Sequence, residues 1–124
     1  MLASDADWLF DDVAAALGGS STVYRVREGA DVTDAIAKVE PDLVILDLQI
    51  GNMGGVATAL LVKQEVRAGR LNPTPILLLL DREADEFLAT QSTADAWLTK
   101  PLNPLALRRA ASDLLDADTP AAVD

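Results

Sequence analysis

Apolar residues along this chain fall into short unbroken or alternating runs, and stretches with helical spacing separate them in a regular order. Leu2 and Ala3 read as the stub of a first strand, shorter than the usual ~5 to 6 residues. Asp5 or Asp7 is placed to cap a helix that carries Leu9, Val13, Ala16 and Leu17 at helical spacing and stops at Gly18 and Gly19. Thr22 to Val26 alternates as a second strand, and Asp31 to Val39 predicts a short helix ended by Glu40 and Pro41. Leu43, Val44, Ile45 and Leu46 make an apolar run of strand length. That run ends in one carboxylate, Asp47, before a loop containing Gly51, Gly54 and Gly55.

Val56 to Arg67 is amphipathic, with Leu60, Leu61 and Val66 available to one face and Gly69 closing the helix. Ile76 to Leu80, an unbroken apolar run after Pro73 and Pro75, suits a central parallel strand covered on both faces. Ala84 to Ser92 predicts a helix and Ala96 to Thr99 a fifth strand. Asn103 and Pro104 supply the N-cap and first position of a last helix over Leu105 to Leu115. The polar, proline-containing residues 117–124 predict a disordered tail, which leaves a single domain over 1–116. Strand-helix units in alternation, joined by right-handed crossovers, predict an α/β fold with a five-stranded parallel sheet and helices on both faces.

In such a sheet, ligands and chemistry gather in the crevice beyond the carboxyl ends of the strands. The ends of the first, third and fifth strands bring Asp5, Asp47 and Lys100 to that rim. Two carboxylates offer oxygen ligands to a hard divalent ion such as Mg²⁺, and a lysine offers a point charge to an anion beside it. The ion would offset repulsion between Asp47 and an incoming phosphoryl group. The same residues also make an ordinary Asp–Lys ion pair at a strand end.

Composition narrows the chemistry. The 124 residues include no cysteine and no histidine, which removes thiol chemistry, disulfides, the usual zinc ligands and any imidazole base. A formal net charge of −10 leaves little basic surface for phosphate contacts, so nucleic acid is not an expected partner. No apolar stretch reaches the ~20 residues of a membrane span, and residues 1–4 are too short and uncharged for a signal peptide. A cytoplasmic protein is expected. The GNMGG stretch lacks the spacing and lysine of a phosphate-binding loop, and no enzyme is expected.

Three segments together resemble a known family. PDLVILD with its glycine-containing loop is similar to the phosphorylation-site segment of response-regulator receiver domains, TPILLLL to their fourth strand, and AWLTKPL to their fifth strand with its lysine-proline pair. The resemblance spans residues 1 to about 116 and implies the flavodoxin-like fold of a two-component signalling module. It implies that Asp47 takes a phosphoryl group from a histidine kinase or phosphotransfer protein in a phosphorelay. It also implies that Asp5, Asp47 and the backbone carbonyl of Gln49 hold Mg²⁺, that Lys100 contacts the phosphoryl oxygens, and that the Lys100-Pro101 bond is cis. Output would run through contacts with an effector protein, or a homodimer, on the fourth helix, fifth strand and fifth helix, with Trp97 and Leu98 near the centre.

The departures from the pattern matter as much. Receivers carry two adjacent acids after the first strand, whereas here Ser4-Asp5 or Asp5-Ala6 takes those positions, and losing one carboxylate predicts weak Mg²⁺ binding. Leu80 stands where the family has a Thr or Ser whose hydroxyl turns to the phosphoryl group. Leucine has no hydrogen bond to give, and the ionised carboxylate of Asp81 would repel the phosphate. Trp97 matches the aromatic switch position, for which ordinary strand burial is the competing reading. The chain therefore reads as an atypical, stand-alone receiver. The alternative is a pseudo-receiver, an interaction module that works without phosphorylation.

Overall fold

A computed structural model describes residues 1–19 and 21–118. Its strands are β1 (Leu2–Ala3), β2 (Arg25–Val26), β3 (Val44–Asp47), β4 (Ile76–Leu80) and β5 (Ala96–Thr99). All pair in parallel, in the order β2-β1-β3-β4-β5. Between them run α1 (Asp7–Leu17), α2 (Val32–Val39), α3 (Gly55–Arg67) and α4 (Glu86–Ser92), and α5 (Pro104–Asp118) follows the last strand. This is the parallel α/β arrangement expected from the alternating pattern, in the flavodoxin-like form that the resemblance implies.

Successive side chains of a strand point to opposite faces, so each central strand divides its apolar residues between two layers. Val44, Leu46, Ile76, Leu78 and Leu80 join Val32, Ile36, Ala59, Val62 and Ala89 on the side of α2, α3 and α4. Leu43, Ile45, Leu77 and Leu79 join Leu9, Val13, Leu107 and Ala111 on the side of α1 and α5. Every residue of β4 is fully buried, which explains why its sequence is an unbroken apolar run rather than an alternation. Each such leucine contributes about 1.5 to 3 kcal/mol through burial.

Several boundaries differ from the sequence reading. The second strand covers only Arg25–Val26 rather than Thr22 to Val26. It lies at the edge of the described sheet, and its neighbour there, β1, has just two residues to pair with it. Neither Asp5 nor Asp7 caps α1: the N-cap is Ala6, without a side-chain cap. Asp7 instead accepts from Arg25 at 2.7 Å and Arg27 at 3.3 Å. The 3₁₀ turns Gly29–Asp31 and Glu83–Asp85 precede α2 and α4, so the α-helix proper starts later than Asp31 and Ala84. At α5 the expected cap is present, with Asn103 Oδ1 accepting from the N–H groups of Leu105 at 2.9 Å and Ala106 at 3.1 Å. That helix continues to Asp118, past the expected domain end at 116, and the rest of the expected tail, 119–124, lies outside the described residues.

Candidate functional site

Strand register decides which side chains meet at the carboxyl end of the sheet. Leu2 pairs with Ile45 and Ala3 with Leu46, so the next residue, Ser4, comes level with Asp47. Leu79 pairs with Leu98 and Leu80 with Thr99, so Asp81 comes level with Lys100. Parity supplies the second condition. Ser4, Asp47, Asp81 and Lys100 each follow by two a residue that packs on the α1 and α5 side: Leu2, Ile45, Leu79 and Leu98. All four are thereby aimed at the same side of the rim.

The hydrogen bonds follow from that placement. Ser4 is fully buried and Asp47 is 2% exposed. The Ser4 hydroxyl donates to Asp47 Oδ2 at 2.8 Å, and in turn accepts from the Ala6 N–H at 3.1 Å. Asp47 Oδ1 accepts from the Gln49 N–H at 3.2 Å and from Lys100 Nζ at 2.5 Å. Lys100 also donates to Asp81 Oδ1 at 2.8 Å, and its ammonium lies 6.0 Å from the centre of the Trp8 ring. The Lys100-Pro101 bond is cis. Thus Asp47 and Lys100 meet as the sequence predicts.

Electrostatics at this cluster is a contest between burial and pairing. Burial works against the Lys100 ammonium, but the hydrogen bonds and charges of Asp47 and Asp81 outweigh it and hold its pKa above the ordinary 10.5. Burial likewise opposes the Asp81 carboxylate, yet Lys100, a hydrogen bond from the Gln49 side chain and the nearby Arg82 bring its pKa below the ordinary 3.8.

The position that receivers fill with a first acid is decided by the same parity. Ser4 faces Asp47, whereas Asp5 is exposed and turned to the β3–α3 loop, its Oδ2 lying 3.1 Å from where a Cβ on Gly51 would sit. Glycine at 51 leaves that carboxylate room. The loop is tied down from the opposite side, since the Gly29 N–H donates to the Gly51 carbonyl at 3.1 Å and Thr58 Oγ donates to the Gly54 carbonyl at 2.9 Å. Asp5, Asp47 and the Gln49 carbonyl would offer Mg²⁺ only oxygen ligands, the kind it takes. The set is a sparse one: among the described residues no three acidic side chains are grouped so as to hold a metal. An ion there would have few protein ligands and would keep most of its water.

Leu80 is fully buried in the same apolar layer against which Trp97 packs, half-exposed. Leu98, one residue on, packs on the opposite layer, so Trp97 and Leu98 do not share a face. The large exposed apolar groups near this end of the chain are Phe87 and Leu88 on α4 and Leu105 on α5, at 70%, 42% and 58% exposure. Sequence spacing did not single them out, because helical periodicity alone does not say which apolar positions the core leaves over. The Asp81–Lys100 pair was legible in principle: β4 and β5 end one residue before each of them, and adjacent strands in register bring such residues together.

Among the described residues, no helix is long and apolar enough to cross a membrane. No family model matches the chain. Solved structures do. A signal receiver domain of a signal transduction histidine kinase from Syntrophus aciditrophicus superposes with a TM-score of 0.85 at 21% identity, covering 99% of this chain and 93% of that one. A putative response regulator from Chloroflexus aurantiacus gives 0.82 at 24% identity, with 93% and 94% covered. The signal receiver domain of the putative response regulator NarL from Mycobacterium tuberculosis gives 0.77 at 27% identity, with 93% of each chain covered. The chain thus has the same fold as these signal receiver domains, a five-stranded parallel sheet in the order β2-β1-β3-β4-β5 with helices on both faces.

Proposed function

We propose that the chain is a cytoplasmic signalling receiver, not an enzyme, in which Asp47 accepts a phosphoryl group from a histidine kinase or phosphotransfer protein. The observation that carries this reading is the Asp47 carboxylate fixed between Ser4, the Gln49 N–H and the Lys100 ammonium at the carboxyl rim of the sheet. An Asp47 oxygen attacks phosphorus, and the new O–P bond forms as the donor's N–P bond breaks. The electron pair leaves on the imidazole nitrogen, and Lys100 balances charge on the phosphoryl oxygens. Mg²⁺ held by Asp5, Asp47 and the Gln49 carbonyl would add charge neutralisation, weakly because Ser4 replaces one acid. Output runs through protein contacts, either with an effector or between two copies. The face of α4, β5 and α5, with Trp97 and the exposed Phe87, Leu88 and Leu105, supports such contacts.

Incubation with acetyl phosphate and Mg²⁺, read by intact mass and peptide mapping, tests the chemistry. A single phosphoryl group on Asp47, absent from Asp47→Asn, is expected. No gain of mass under saturating donor removes the phosphoacceptor role. One observation favours a second reading, a phosphorylation-independent interaction module: Leu80 puts a methyl-rich side chain where a hydroxyl would answer the phosphate. Partner binding that survives Asp47→Ala unchanged is the signature of that reading.

A further inference from the structure

Lys100 has three N–H donors, and this protein has already committed two of them. One goes to Asp47 and one to Asp81, while the Trp8 ring lies over the ammonium at 6.0 Å. We propose that Asp81 is a resident anion of the site: its carboxylate competes with an oxyanion on Asp47 for the Lys100 ammonium, and such a group binds more tightly once Asp81 is gone.

This deepens the phosphoacceptor reading and rests on it for its biological meaning. A carboxylate on Lys100 acts twice against a tetrahedral oxyanion. It occupies a hydrogen-bond donor, and it places a like charge one lysine ammonium away from the incoming group. The arrangement is also reversible. The Asp81 side chain is 32% exposed against 11% for Lys100, so Asp81 can swing into water while the lysine stays between the strand ends. Leu80 next to it offers no hydroxyl to take over the released contact. Asp81 thus sets the threshold at which the site accepts an anion.

The probe is beryllofluoride in the presence of Mg²⁺, titrated against the whole chain and followed by tryptophan fluorescence, since Trp8 sits over Lys100. Asp81→Asn, and Asp81→Ser as a second variant, are expected to bind it about tenfold or more tightly than wild type, the effect of removing one like charge from the lysine. Glu83→Gln removes an exposed acid from the same β4–α4 connection without touching Lys100, and is expected to stay within about twofold of wild type. Equal affinity in wild type and both Asp81 variants, an equal gain in Glu83→Gln, or no binding by any of these proteins overturns the proposal. Acetyl phosphate labelling then separates the two ideas. Tighter beryllofluoride binding with no labelling of any variant sinks the phosphoacceptor role and leaves Asp81 as resident anion. Labelling of wild type and Asp81→Asn at one rate, with one beryllofluoride affinity, does the reverse.

Discussion

Lys100 and Asp81 lose hydration on folding and regain more from their partners, Asp47 and Asp81 for the lysine and chiefly Lys100 for Asp81, and the balance has a pH signature. Asp81 has a folded pKa below 3.8, so its contribution to stability is fully present above that value and is lost as pH falls through the lower one. Lys100 has a folded pKa above 10.5, so its contribution is fully present below 10.5 and is lost as pH rises through the higher one. Between roughly pH 5 and pH 9 both contribute in full. Wild type is therefore expected to be more stable than Asp81→Asn at pH 7, with the gap closing as pH drops below 3.8. Urea unfolding of the two proteins across pH 7 to about 3 checks this, and a gap that does not change with pH would contradict the pairing. The expectation that Asp47 and Lys100 meet at one rim holds. The capping expectation for Asp5 and Asp7 does not, because Arg25 on the neighbouring strand competes for Asp7.

A helix start, α3, fixes how the element that follows the phosphoacceptor candidate docks on its own strand. Gly55 opens that helix, and a Cβ there would come within 2.4 Å of the Asp47 carbonyl oxygen and 3.0 Å of Leu78 Cδ1. The helix approaches β3 this closely only because residue 55 lacks a side chain. Gly55→Ala is expected to cost about 1 to 3 kcal/mol in urea unfolding, as overpacking against backbone does. Gly19→Ala, with nothing within 4 Å of its added Cβ, is expected to stay within about 0.5 kcal/mol of wild type. Central strands were readable at this scale because burial on both faces leaves an unbroken apolar run, as in β4. Edge strand β2 was over-read, since alternation over Thr22 to Val26 says nothing about how many residues its neighbour has available to pair.

Over the whole molecule, 20 acidic against 10 basic residues leave a formal charge of −10, and self-repulsion opposes the folded state. Raising NaCl from ~10 mM to ~0.2 M shortens the Debye length from about 30 Å to under 10 Å and is expected to raise Tm. A Tm that falls with salt would mean that attractive surface pairs such as Arg70 with Glu65 outweigh the net charge. By itself the sequence determined the order of elements, the two-layer core and the presence of Asp47 and Lys100 at strand ends, because local periodicity and strand length are properties of adjacent residues. The tertiary structure alone decided that Ser4 rather than Asp5 faces Asp47 and that Asp81 shares the lysine. Those contacts depend on strand register, which is set by pairing between segments 19 to 43 residues apart in the chain and shifts every side chain to the other face if it slips by one.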